Sequence, residues 1–383
     1  MKWLTPQRVS TYCSVLIATN LLFFAFTIAR DRGYDGGDFR AFHNAGRIFV
    51  QYPHERLYDV ALQDALYESE GGSHTESLPF VYAPWFVLPF ALLGQMPFLW
   101  AYLLWTTMSI GLLCVGYLLT SRTLAFPKEW LIPGLLASLA FAPFQLYAIR
   151  GGQTSAFGFC VLATAFCLHY KGRHIWAGLA LALLLYKPPL LVLLVPMLIL
   201  TFQWRMLLGF AVGAVTLALL SLVLVGAGGV AGYFRILKLF YVAANSSTEI
   251  FQTWKYVDIG AAFRLFTGHQ GDILRFVLLA VSLPLLWLVW KKHRADRLSW
   301  ALAIVCTVLL SLYTPIYDST LLILAVMWTG PKNIGFPLLL MLFILSFITV
   351  PLASATHVQL FTLGLIWLTW QIYSSRIPTG SRL

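Results

Sequence analysis

The stretch HIWAGLALALLLYKPPLLVLLVPMLILTFQ, residues 174–203, decides how often this chain reverses direction. Without its middle it reads as one long apolar helix. Pro188-Pro189 supply no backbone N–H and clash with the preceding turn, so the stretch reads as two helices, 174–186 and 189–203, with Lys187 between them. A second choice falls at residues 80–94, where Pro84 and Pro89 interrupt a short apolar run, which suits a re-entrant or interfacial piece. Reversing only one of these readings would put Lys291–Arg297 outside a membrane. That opposes the rule that short loops rich in Lys and Arg stay cytoplasmic; reversing both restores it.

Working outward, the 383 residues are 59% hydrophobic and 11% charged, with mean hydropathy +0.77, which excludes an ordinary soluble domain. A span needs roughly 20 mostly apolar residues. Apolar runs at 11–29, 97–120, 131–148, 154–170, 174–186, 189–203, 207–226, 273–290, 299–313, 319–330, 334–350 and 358–373 predict an all-α, polytopic integral membrane protein of about twelve transmembrane helices. Residues 1–383 form one transmembrane domain without internal repeat or low-complexity tract. Lys2 and Arg8 before the run from Cys13 to Ala29 have the layout of a secretory signal. The run is long for one and no Ala-x-Ala site follows, so we read a retained anchor.

The connections alternate in charge. Arg122/Lys128, Lys171/Arg173, Arg205, Lys291–Arg297, Lys332 and Arg376/Arg382 fall on one side. Asp31–Asp38, Arg150–Gln153, Lys187-Pro-Pro, Tyr313–Asp318 and the stretch through His357 fall on the other. The basic side is cytoplasmic, with both termini, and every candidate for chemistry faces outward. A bacterial inner membrane with a periplasmic site is the expectation, since no organelle signal is present. The net charge of +11 reflects these loops and their attraction to anionic headgroups; no basic patch with interleaved aromatics suggests nucleic acid. Cys13, Cys114, Cys160, Cys167 and Cys306 lie in apolar segments without metal-ligand spacing, so neither metal nor cofactor is expected.

Two outer segments are long. The first, 30–96, holds nine of the fifteen acidic residues, and Phe39, Phe42, Ile48 and Phe49 at helical spacing predict an amphipathic helix along the headgroup boundary. The second is 227–272, with Gly228-Gly229, Arg235, Lys238 and the sequon Asn245-Ser-Ser.

Asp38 follows a glycine pair that permits a tight turn, beside Arg40 and His43. It fits an N-cap for Phe39 onward or a general base whose ionisation the neighbouring acids Asp31 and Asp35 oppose; Asp35 competes for the second role. Arg150-Gly-Gly-Gln153 offers a cation, backbone N–H groups and an amide for a phosphate or headgroup, or else a tight turn with a snorkelling Arg. Lys187 and Arg150 are the only basic residues in the short outer loops; Lys187 either snorkels or pairs with an anionic substrate. Tyr317-Asp318 lies in a gap between apolar runs, where an acid is costly unless paired or solvated. His357 reads as a surface-loop histidine.

Read together, several pieces carry a resemblance. They are Asp38–Arg47 (DFRAFHNAGR), Leu57-Tyr-Asp59, Phe80-Val-Tyr-Ala-Pro84 with Pro89, Ala101–Trp105 (AYLLW), Gly152-Gln-Thr-Ser155, Ala177-Gly-Leu through Lys187-Pro188, and Tyr317-Asp318. In this order, over roughly residues 30–320, the chain resembles glycosyltransferase family 87, membrane mannosyl- and related glycosyltransferases of the GT-C superfamily. The resemblance implies a GT-C-like fold, a polyprenyl-phosphate-sugar donor, a glycolipid or glycan acceptor on the outer face, and a catalytic acid in the first outer loop, where Asp38 stands. Arg40, Arg150, Gln153, Lys187, Tyr317 and Asp318 are then the candidate contacts to donor phosphate or substrate. The chain departs from the pattern near Tyr317-Asp318, where Tyr313 and Thr314 stand in place of an expected histidine. On these residues Asp38 takes the proton of an acceptor hydroxyl and a cation balances the departing lipid phosphate, with Asp38, Arg150 and Lys187 sharing one pocket. A transporter or lipid-linked sugar flippase is the alternative from another class, although no matching halves are visible. A third reading is a glycan ligase or polymerase with a diphosphate-linked donor.

Overall fold

The structure, a computed structural model, describes residues 4–30, 36–69, 78–245, 252–267, 270–311 and 313–375. Asp31, Asp35, Ser246, Ser247, Arg376 and Arg382 lie outside the described residues, as does the side chain of Asn245. The described residues form helices and no strand, with one isolated bridge pairing Tyr256 and Pro315.

Among the described residues each expected apolar segment contains helix, but the lengths differ from expectation. Four helices are long and apolar enough to cross a membrane: Pro6–Arg30, Phe98–Thr123, Trp204–Phe240 and Phe336–Thr356. Lys128–Ala140 and Pro143–Ile149, bent by 43° at a break, make a fifth if counted as one span. At 1.5 Å per residue, a core of about 30 Å needs roughly 20 residues. Ser155–Tyr170, His174–Tyr186, Pro188–Leu200, Phe276–Lys291, Arg297–Leu310 and Ile316–Thr329 fall short of that. About twelve full-length spans are therefore not what the described residues display. The long helices leave Leu22, Trp100 and Val223 exposed, a surface compatible with a membrane protein.

The shorter helices differ in exposure: Phe276–Lys291 leaves Phe276, Val281 and Leu285 exposed. Arg297–Leu310 is buried at every position from Ser299 onward, as a helix apolar all round must be. Its Trp300 meets Phe166 and Trp328 edge-on, and the rings of those two stack 4.5 Å apart. The break in 174–203 is present. Helix His174–Ala182 tightens into 3-10 turns on both sides of Lys187, at Leu183–Tyr186 and Pro188–Leu191, before Leu194–Leu200 resumes.

Two further expectations change. Residues 227–245 are not loop: helix Trp204–Asn245 breaks at Gly226 (φ +66°) and continues. The apolar face of Phe39–Gln51 meets protein, not lipid. Phe42 stacks on Phe90 with ring centroids 4.8 Å apart, and a Cβ on Gly46 would come within 1.9 Å of the Phe90 carbonyl oxygen. Backbones in such close approach seal that face.

The two ends of helix Ser155–Tyr170 carry different groups. At one, His169 Nε2 hydrogen-bonds the Ala295 carbonyl at 3.0 Å and His174 meets His169, joining the basic connections 171–173 and 294–297. Helix Ser155–Tyr170 runs from there to the end that carries Gln153.

Candidate functional site

Two glycine turns remote in sequence are docked on each other. Gly37 (φ +56°) and Gly152 (φ +61°) adopt the left-handed conformation that side chains disfavour. The Phe39 amide donates to the Gly151 carbonyl at 3.2 Å. The carbonyls of the second turn are taken up by helix Phe98–Thr123: Tyr102 donates its hydroxyl to Ile149 O at 2.8 Å, and Trp105 Nε1 donates to Gly152 O at 2.9 Å. Gln153 Nε2 then donates to Asp38 Oδ2. Asp38 makes no side-chain cap bond to the helix it precedes. The amides of Phe39, Arg40 and Ala41 are served by the carbonyls of Gly36, Gly37 and Asp38 instead.

This docking makes a prediction. A Cβ at Gly152 would lie 2.3 Å from Phe39 Cβ, so Gly152→Ala must displace the residue next to Asp38. Gly172 shares the positive φ (+74°) with nothing near its missing Cβ. Both alanine variants incur the backbone strain, of order 1–3 kcal/mol. We expect both to melt earlier than wild type in detergent, and only Gly152→Ala to lose activity further, by about 10²-fold for a displacement near 1 Å.

On the other side stands Lys187, in the break made by the two prolines. Its Nζ lies 2.5 Å from Asp318 Oδ2, and both side chains are nearly buried. The ammonium also faces the Tyr317 ring at 4.7 Å and the Tyr313 ring at 5.8 Å. A buried ion pair survives only if each charge is well compensated, and here the aromatic faces add to the carboxylate. Lysine has three N–H donors; the bond to Asp318 uses one.

A cavity of about 190 Å³ lies between the two sides, lined by Asp38, Phe42, Tyr82, Lys187, Tyr313 and Tyr317 among others. Of the three residues expected to share a pocket, Asp38 and Lys187 do so. Arg150 stands apart: its guanidinium lies 5.5 Å from the Phe23 ring centre and 5.9 Å from that of Phe24. Arg40 is buried with its guanidinium 4.4 Å from the Phe98 ring centre and 5.7 Å from that of Tyr67. Both cations are thus engaged by aromatic faces away from the cavity. Gln153 orients Asp38, and Asp318 orients Lys187. His357 is exposed and ends helix Phe336–Thr356 in the left-handed conformation (φ +59°).

Sequence reading missed the tyrosine wall. Tyr82 stacks on Tyr186 with rings 5.9 Å apart and 6° from parallel, and Tyr256 packs 4.9 Å from Tyr313. Burial pushes the Tyr82 and Tyr256 phenols above their usual range, and the charge on Asp38 pushes the same way. These phenols are therefore neutral hydrogen-bonding groups, not bases, near neutral pH. Behind Tyr256 is a latch that the sequence did not announce. Gln359 Nε2 donates to Trp254 O at 3.1 Å and Tyr256 O at 2.9 Å, while Thr362 Oγ1 donates to Val257 O at 2.8 Å. Val257 N in turn donates to Thr314 O at 3.0 Å. The C-terminal helices thereby fix the segment that leads to Tyr317 and Asp318.

A carboxylate held by an amide, opposite a buried ammonium in an aromatic-walled cavity, provides a proton acceptor facing an anion-stabilising group. Such a pair suits transfer of a group that departs as an anion. Residues 80–315 match Glycosyltransferase family 87, and with more than half its length matched the chain belongs to that family. The match includes Tyr82, Gln153, Lys187 and Tyr313 and stops short of Asp38 on one side and Asp318 on the other. No curated protein matches the chain.

Proposed function

We propose that the chain is a membrane-embedded transferase that moves a sugar, mannose or a similar hexose, from a polyprenyl-phosphate donor to an acceptor hydroxyl on the outer face. The carrying observation is that Asp38 and Lys187 line one cavity. Asp38 accepts the proton of the acceptor hydroxyl as its oxygen attacks the anomeric carbon. The bond from that carbon to the phosphate oxygen breaks, and the electron pair leaves on the polyprenyl phosphate. The free N–H groups of Lys187 stabilise the charge that develops there. Attack opposite the leaving group inverts the anomeric configuration.

The size of the cavity supports this division of labour. At about 190 Å³ it is smaller than a typical small-molecule site of roughly 300–1,000 Å³, so it takes the sugar-phosphate head and leaves the lipid tail in the bilayer. The charge alternation of the connections supports an extracytoplasmic cavity, in a bacterial inner membrane with both termini cytoplasmic. The shorter interior helices then lie within the bilayer surrounded by the long ones, in a GT-C-like arrangement.

Purified protein in proteoliposomes, given a radiolabelled short-chain polyprenyl-phosphate mannose and a glycolipid acceptor, tests the reading. The expected result is a new glycosidic bond of inverted configuration by mass spectrometry and NMR. Movement of intact donor between leaflets with no new bond would establish a flippase instead. Turnover only with a diphosphate-linked donor would establish the ligase or polymerase class.

A further inference from the structure

Resting on that transferase reading, we propose that a second cavity, between residues 54–60 and the helix after Gly226, binds the neutral, hydroxyl-rich body of a glycan acceptor. The cleft has a volume of about 370 Å³ and is lined by Glu55, Arg56, Tyr58, Asp59 and Arg235, with Gly228 and Gly232 in its floor. That volume is within the range of small-ligand sites, roughly 300–1,000 Å³.

Its charges are divided between structure and availability. Arg56 donates to Asp59 Oδ2 at 2.7 and 3.0 Å, and Asp59 Oδ1 accepts from the Leu62 amide at 3.2 Å, so this pair caps helix Val60–Ser69. The Arg56 guanidinium holds the Asp59 carboxyl below the usual carboxylate range, so Asp59 stays charged. Glu55 and Arg235 are exposed and make no hydrogen bond or ion pair among the described residues. Glu55 lies against the helix: a Cβ on Gly228 would lie 3.2 Å from its Oε2. Glycine at 228 thus permits the carboxylate to approach the helix backbone.

Ligand class follows from the balance of these groups. Two carboxylates face two guanidinium groups, so the cleft has no net attraction for a phosphate or an anionic lipid. A sugar hydroxyl both donates and accepts, which matches acceptor-only Glu55 and donor-only Arg235 in one cleft. Position follows from shared walls. Tyr58 donates its hydroxyl to Tyr82 O at 2.6 Å and stacks 6.1 Å from Phe80; Phe80 and Tyr82 line the Asp38 cavity. On the helix after Gly226, Arg235, Ile236 and Leu239 face the cleft while Leu237 and Phe240 face the Asp38 cavity. One aromatic layer separates the two.

The test uses the full chain in nanodiscs of zwitterionic lipid, titrated calorimetrically with mannotetraose, maltotetraose and cellotetraose, and with inorganic phosphate and phosphocholine as headgroup probes. Glu55→Gln and Arg235→Gln lie on the surface, and unchanged melting in detergent will establish their folding. We expect at least one tetrasaccharide to bind wild type, and each variant to weaken it about tenfold, as loss of a charge-assisted hydrogen bond does. In transfer assays the acceptor KM should rise by the same factor with the donor KM unchanged. Binding equal in wild type and both variants, no tetrasaccharide binding to wild type, or displacement of the sugar by phosphate or phosphocholine would overturn the proposal. A wild type that binds the glycan but transfers nothing would count against the transferase reading and leave the cleft standing.

Discussion

An Asp38→Asn variant is expected to fold and insert like wild type and to transfer sugar about 10²–10⁴-fold more slowly, the range that loss of a general base produces. The substitution is nearly isosteric. It keeps an oxygen to accept from Gln153 Nε2, the partner that fixes the side chain, and no helix cap is lost because the Asp38 side chain provides none. The negative charge and the ability to take a proton disappear together. Initial rates at saturating donor and acceptor, with a melting curve as control, measure the effect. Transfer near the wild-type rate would remove Asp38 from the chemistry.

The second large effect concerns Lys187. Replacing it with methionine strands the Asp318 carboxyl, which is 2% exposed. Removing one partner of a buried ion pair costs about 3–5 kcal/mol, so Lys187→Met alone should be markedly destabilised. The double variant Lys187→Met/Asp318→Leu removes both charges and keeps the volume, which is commonly neutral or stabilising. Its melting temperature should return toward wild type. Its activity should not, since the group facing the departing phosphate is absent; loss of such a donor slows turnover by about 10²–10³-fold. A double variant both stable and active would make the pair purely structural.

What could be read from the sequence followed from local chemistry. The break at Lys187 was legible because proline removes a hydrogen bond wherever it stands. Asp38, Gln153, Lys187 and Asp318 were each visible as polar groups in costly surroundings. Their partnerships were not, since Gln153 lies 115 residues from Asp38 and Asp318 lies 131 from Lys187. No local pattern encodes the docking of two positive-φ turns. Arg150 read as a phosphate contact from the glycines and amide that follow it, and Arg40 from the family resemblance; that aromatic rings would engage both is a tertiary fact. Counting spans failed for a related reason. Apolar runs such as 299–313 are equally apolar whether they face lipid or, like Arg297–Leu310, other helices. The run after Gly226 looked like loop because Gly228-Gly229 usually marks one; here those glycines admit residues 54–58 against a continuing helix.

The most direct measurement is a structure of the protein with a short-chain polyprenyl-phosphate mannose bound. The expected result is phosphate density within hydrogen-bonding reach of Lys187 Nζ, and the anomeric carbon exposed to an acceptor oxygen held by Asp38. A headgroup seated against Arg150 or elsewhere, with the space between Asp38 and Lys187 unfilled, would contradict it.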